Sequence, residues 1–314
     1  DDSDAVRDTL SFLKRSSILQ DSTDGSKIII HRLQGKTYRE TYLKNQKKFY
    51  EACTHTIKLL NEININRLEN FEQKQQETRN LVEQIGAITP QSHSHPFFSN
   101  PTFVSMLATT LHHATNLGMP QLALTLSESV TQAGEALGPG HPDALASRNN
   151  LAAAYRDAGR LEEAITLYEQ VVAGRSRVLG PDDRGTLTAR DDLAATYWEA
   201  GRLDEAITLF KQNLDDALRI MGADSPGAST ARLKLADAYR DAGRLDEAVN
   251  VHQQNLDDVA RTMGLDHPDT FTARNQLAGA YRDAGRLDEA IPLFEQNLED
   301  STRLAGPDHP HTLS

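Results

Sequence analysis

The side chains able to do chemistry are scattered along this chain, not assembled into a centre. His93 and His95 in "SHSHPFF" have the His-x-His spacing of paired metal ligands, yet they sit among Ser, Pro and Asn, where a linker is the simpler reading. Cys53 is the only cysteine in 314 residues, which leaves no internal disulfide and no cysteine-rich zinc site; it falls on an apolar helical stripe and is expected to fill core. His112, His113, His141 and His267 read as structural or exposed. Lys36, Arg39, Lys44, Lys47 and Lys48, with Tyr38 and Tyr42 nearby, have the composition of a nucleic-acid contact, but a solvated helix face explains them with fewer assumptions. No HExxH, GxSxG or GxxxxGK[ST] motif occurs, and the carboxylates follow helix starts and solvent faces. No catalytic residue, metal or cofactor is therefore assigned.

Charge narrows the partners. The net charge of −12 is concentrated in residues 138–314, with 19 Lys+Arg against 30 Asp+Glu, while residues 1–137 carry 14 against 15. The acidic half would repel nucleic acid and anionic membranes. No apolar run of about 18 residues and no signal peptide is present, so a soluble, cytoplasmic protein is expected. The start at Asp1 suggests a piece of a larger protein.

What positions the remaining residues is a repeat. "YRDAGRLDEA" occurs at Tyr239 and again at Tyr281, with near copies from Tyr155 and Tyr197. Gly159, Gly201, Gly243 and Gly285 are 42 residues apart, and so are Gly138, Gly180, Gly222, Gly264 and Gly306. Two turns per period predict two helices per period. Pro142, Pro226 and Pro268 suit the first helical position, Ser225 suits the cap before it, and Asp143 and Asp269 complement the helix dipole in the first turn. Glycine ends each first helix, and Asp or Glu opens the next. Leu151, Ala152 and Tyr155, then Leu161, Ala164, Ile165, Tyr168, Val171 and Val172, mark one buried face on each helix. Such a pair cannot bury its apolar face alone and needs neighbours.

These residues resemble a tetratricopeptide array of the longer, 42-residue kind found in kinesin light chains. The matching positions are Leu151, Ala152, Tyr155, Ala164 and Tyr168, and their equivalents at each 42-residue step; His252 and Pro292 depart from the pattern. The resemblance implies an all-α fold, a right-handed α-solenoid of helix-turn-helix repeats. Four units span 142–305, a degenerate unit spans 101–141, and 306–314 opens a further repeat, so more repeats are expected beyond an uncapped, self-associating end.

The first hundred residues differ, holding eight of the ten lysines. Residues 1–36 read as a helix and a β-hairpin around Asp24-Gly25, and 37–100 as helical spacer and linker, with helices over 37–63 and 66–86. Helix, hairpin, "IHRL", spacer and repeats in this order resemble the winged-helix remnant and sensor region of a STAND-class signalling ATPase of the NB-ARC kind. In that family a histidine just after the wing contacts ADP; by position this is His31, followed here by Arg32 where plant-type members have aspartate.

The tetratricopeptide resemblance also implies a concave groove lined by first helices, with a protein or peptide as partner. Carried over, one groove position holds Asn149, Asp191, Leu233 and Asn275, and another, seven residues on, holds Arg156, Trp198, Arg240 and Arg282. Asparagine can pair with a peptide amide, and arginine with a carboxylate or a ring. A solvated arginine paired to the following Asp157, Asp241 or Asp283 is the competing reading. The function expected is thus partner recognition for an upstream ATPase, with a free-standing adaptor or scaffold as the alternative and a DNA-binding regulator as a weaker third.

Overall fold

The computed structural model describes residues 19–21, 28–30, 65, 68, 70–89, 96–223 and 225–305. His31, Cys53, the Lys36 to Lys48 run, His93, His95, the 37–63 helix and the 306–314 segment lie outside the described residues. The chain divides into two compact units, Asp1–Pro181 and Asp182–Ser314.

In the first unit, strands β1 (Leu19–Asp21) and β2 (Ile28–Ile30) pair antiparallel with Leu19 opposite Ile30. Helix α1 (Phe71–Ile88) starts at Asn70, whose side chain accepts from the Glu72 amide. A 3-10 turn at Pro96–Ser99 leads into α2 (Pro101–Asn116). Short α3 (Pro120–Leu124) and α4 (Ser127–Leu137) follow, then α5 (Pro142–Asp157) and α6 (Leu161–Leu179). Where the repeat pattern predicts one second helix over 120–137, the chain breaks at Thr125, whose hydroxyl donates to the Leu122 carbonyl and closes a turn. Helices α2 and α5 lie close together: Ser147 donates to the Val104 carbonyl, and Asn150 to the Ala108 carbonyl at 2.7 Å. Phe98, Phe103, Leu107, Leu111 and Leu126 form the core, with Phe98 edge-on to Phe103 at 6.0 Å.

The second unit alternates first helices α7 (Arg184–Glu199), α9 (Pro226–Asp241) and α11 (Pro268–Asp283) with second helices α8 (Leu203–Met221), α10 (Leu245–Met263) and α12 (Leu287–Ala305). Consecutive helices pack side by side, whereas the backbones of the first helices stay apart, so side chains must span the seams between them. In α8, Ile207 and Phe210 are 3 % and 1 % exposed beneath α9. Their equivalents on α12, Ile291 and Phe294, are 51 % and 38 % exposed. Helix α12 runs through Pro292, which removes one backbone donor without ending it.

Caps fall where proline and glycine place them, with one addition. Ser225 accepts from the Ala228 amide, and His141 and His267 accept through Nδ1 from the Asp143 and Asp269 amides. The "HPD" histidines are thus helix caps. Each repeated phrase closes as a Schellman motif: at α9 the Arg244 amide donates to the Tyr239 carbonyl and the Gly243 amide to the Arg240 carbonyl. Gly243 has φ of 71°, which only glycine takes cheaply. The following arginine then does two jobs, since Arg244 lies over the Tyr239 ring at 4.8 Å and pairs with Glu247 at 2.8 Å; Arg160, Arg202 and Arg286 repeat the arrangement.

A buried ion pair also repeats. Arg190, Arg232 and Arg274 are at most 8 % exposed and meet Asp216, Asp258 and Asp300, each 26 residues on. Burial would raise the Asp300 pKa, but hydrogen bonds from Arg274 and Arg303 outweigh it and hold the carboxyl below its usual range. Unpaired, either partner would be costly to bury. In the first unit the aspartate position is Gly174, and Leu145 packs where its side chain would stand, 2.5 Å from an added Cβ. Burial lowers the pKa of the corresponding Arg148, opposed by Glu135.

Candidate ligand groove between the first helices

Two seams between first helices lie within the second unit, α7 to α9 and α9 to α11. They have the same architecture and different side chains.

The α7–α9 seam is tied shut. Trp198 Nε1 donates to Asp241 Oδ2 at 2.9 Å, and its ring stands edge-on to Phe210 with centroids 6.2 Å apart. Lys234 Nζ bonds Asp191 across the same seam.

One period later the acceptor is kept, Asp241 recurring as Asp283, but the other four parts of this closure have changed. Trp198 becomes Arg240, Phe210 becomes His252, Asp191 becomes Leu233 and Lys234 becomes Gln276. Arg240 turns to Asp237 at 2.8 Å and to Asp241 at 3.3 Å, and Arg282 pairs with Asp283 at 2.9 Å. Among the described residues no bond joins Arg240 to Asp283 or Leu233 to Gln276. With the indole, the phenyl ring and the ion pair gone, the α9–α11 seam opens into two clefts of about 270 Å³ and about 260 Å³, both lined by Leu233 and Gln276 and floored by α10.

The cleft nearer the helix C-termini holds Asp237, Arg240, His252, Gly279 and Arg282. Burial lowers the His252 pKa, Asp237 opposes this and Arg240 adds to it, so the imidazole is neutral at neutral pH and can both donate and accept. Gly279 leaves a gap in the wall, because a Cβ added there meets nothing within 4 Å.

The cleft nearer the helix N-termini is floored by Asn255, 2 % exposed, whose Oδ1 has no hydrogen-bond partner. Asn213, the equivalent residue beneath the α7–α9 seam, is in the same state, whereas the residue one repeat on is satisfied. Asn297 accepts from Arg274 at 2.8 Å and donates to Asn275 Oδ1 and the Phe271 carbonyl, both at 2.7 Å. Around Asn255 the asparagine has become Leu233, and Arg232 Nη1 goes to the Ala223 carbonyl at 3.2 Å, leaving its own Nε without a partner too.

The groove positions inferred from sequence therefore fall in three places. Leu233, Arg240 and Arg282 line the open seam; Asp191 and Trp198 are spent closing the other; Asn275 is engaged by Asn297. Asn149 and Arg156 belong to the first unit, where Asn149 Oδ1 is buried without a partner and Arg156 lies 3.8 Å from Asp157. His252, Asn255, Gln276 and Gly279 were not among the expected site residues. His252 had broken the aromatic pattern, and the asparagines recur every 42 residues, which was the available signal. Among the described residues no group of His, Cys, Asp or Glu is arranged to hold a metal. None of the described helices is long and apolar enough to cross a membrane.

Helix pairs recurring at a fixed offset, with side-chain-spanned seams between first helices, define a helical repeat protein of the solenoid class. The Tetratricopeptide repeat family matches at residues 107–176, 143–217, 199–260, 227–296 and 269–314, and the chain belongs to that family. Among solved structures it is similar to the nearly identical TPR-like repeats of a putative kinesin light chain from Podosopora anserina. The identity is 28 %, the TM-score is 0.58, and the match covers 66 % of this chain and 98 % of that one. A singly substituted form of the same protein matches at 29 % identity and a TM-score of 0.56, over 65 % and 96 %. BtubC from P. vanneervenii, at 17 % identity and a TM-score of 0.54 over 77 % and 95 %, shares the fold. No curated protein matches.

Proposed function

We propose that this chain recognises an extended segment of a partner protein along the α9–α11 seam. The observation that carries the reading is the contrast between adjacent seams: one is bridged by the Trp198–Asp241 hydrogen bond and an ion pair, while the next presents polar side chains around two clefts. A site built by subtraction from a working closure is a place where burial is left for a ligand to complete. In the larger protein, the chain serves as the cytoplasmic sensor arm of a STAND-class ATPase, with partner occupancy shifting its contacts to the upstream switch. The order of elements before the repeats supports this, and a phosphate-loop motif in the upstream reading frame tests it. Absence of that motif leaves the adaptor or scaffold reading.

Gly279 supplies the groove test, since it lines the cleft and a Cβ added there meets nothing within 4 Å. Peptides selected from a random display library on the wild-type protein are expected to lose at least about 100-fold in affinity for Gly279→Phe, while the thermal melt is unchanged or raised, because phenylalanine disfavours a helix interior less than glycine does. Full affinity of every selected peptide for the variant sinks the groove reading.

A further inference from the structure

The two seams of the second unit use the same carboxylate, and only one of them uses both of its oxygens. Asp241 Oδ1 accepts from Arg240 Nε, the residue before it, at 3.3 Å, and Oδ2 accepts from Trp198 Nε1 across the seam at 2.9 Å. Asp283 begins in the same way. Its Oδ1 accepts from Arg282 Nε and Nη2 at 3.1 and 2.9 Å, and among the described residues nothing donates to Oδ2. The Asp283 side chain is 33 % exposed and lines the cleft of about 260 Å³. The apolar frame is kept as well, since Leu203, Ala206 and Ala238 recur as Leu245, Ala248 and Ala280, which line that cleft. What the repeat drops is the filler. Trp198 becomes Arg240, which turns to Asp237 and Asp241 on its own helix, and Gly279 stands where the other seam has Asp237.

We infer that this cleft receives the indole of a tryptophan in the bound segment, its N–H donating to Asp283 Oδ2 and its ring against His252, as Trp198 stands against Phe210. The inference rests on the groove reading above. A lysine or arginine also seeks the carboxylate, but Arg240 and Arg282 line the same cleft and oppose a further cation. A hydroxyl or a primary amide makes the bond and leaves the space between Leu245, Ala248 and Ala280 unfilled. A phenyl ring fills that space and leaves Oδ2 without a donor. The indole does both, because it joins a large apolar body to one N–H.

The test uses the intact chain and three small probes, Nα-acetyl-tryptophan amide, its 1-methylindole analogue and Nα-acetyl-phenylalanine amide, titrated while the Gly279 backbone amide is followed by NMR. The tryptophan probe is expected to shift this signal with saturation, and the other two are expected to bind at least about tenfold more weakly, the loss of a hydrogen bond to a charged group. Asp283→Ala removes the acceptor and breaks only a surface pair, since the Arg282 side chain is 62 % exposed, so the variant is expected to fold. In that variant the tryptophan probe and its 1-methyl analogue are expected to bind equally weakly, a result that general loosening of the seam does not produce. Equal affinity of the two indoles for the wild type, or a preference between them that survives Asp283→Ala, overturns the inference. Display-selected peptides that lose affinity for Gly279→Phe yet contain no tryptophan leave the groove reading standing and remove only the indole site, whereas peptides indifferent to Gly279→Phe remove both.

Discussion

Asp258→Ala is expected to destabilise the protein by about 3 kcal/mol or more in denaturant unfolding, the range for removing one partner of a buried ion pair. The reason is what remains. Arg232 is 4 % exposed, and without the carboxylate its guanidinium is left with the Ala223 carbonyl, while its Nε already lacks a partner. The cost is the desolvation of an uncompensated guanidinium, not the loss of attraction at a surface. The double replacement Arg232→Met with Asp258→Leu is therefore expected to recover most of the loss, since apolar groups of similar size carry no desolvation penalty. Arg261, which also reaches Asp258 at 2.8 Å, is 60 % exposed at its side chain and loses little, because water replaces its partner. A double mutant as unstable as Asp258→Ala alone contradicts this assignment.

Phe210→Ala carries the second large expectation, about 3–5 kcal/mol, the usual cost of a cavity left by a phenyl ring. Phe210 is 1 % exposed and is the floor against which Trp198 stands. The same change at the equivalent residue of the next repeat, His252→Ala, is expected to cost under about 1.5 kcal/mol, because His252 already borders an unfilled cleft. Thermal or urea melts of the two variants measure the difference between a closed seam and an open one. Equal costs mean that the seams are packed alike.

The helices were legible because their signals are local and repeated. Proline at the first position, glycine at the left-handed close and apolar spacing each depend on a few adjacent residues, and repetition averages out exceptions such as Pro292. The break at Thr125 was not legible, since it turns on one hydroxyl competing for a carbonyl within a segment whose apolar pattern is still helical. The side chains along the seams were legible as positions and not in what they contact. Trp198 stands out in the sequence as the aromatic exception among arginines, yet its indole N–H is taken by Asp241, 43 residues away, and no single-repeat pattern contains that partner. The arginines at the same position do pair with neighbouring aspartates, as local charge suggested. The buried Arg–Asp pairs hid in plain periodicity, because a charged residue recurring every 42 positions reads first as solvent face. His252 was visible as a departure, but its consequence needed Arg240, Leu233 and Gln276 to change with it.

In the proposed function, replacement of a Trp-Phe closure by Arg240 and His252 is what makes the α9–α11 seam a binding site. The variant Arg240→Trp with His252→Phe transplants the Trp-Phe part of the closed seam into the open one and substitutes no residue of α11. The most direct measurement is the affinity of a display-selected peptide for this variant by titration calorimetry, beside a melt to establish folding. Loss of binding by at least about 100-fold, with stability unchanged or raised as the cleft fills, is the predicted result. Undiminished affinity in a folded variant contradicts the account.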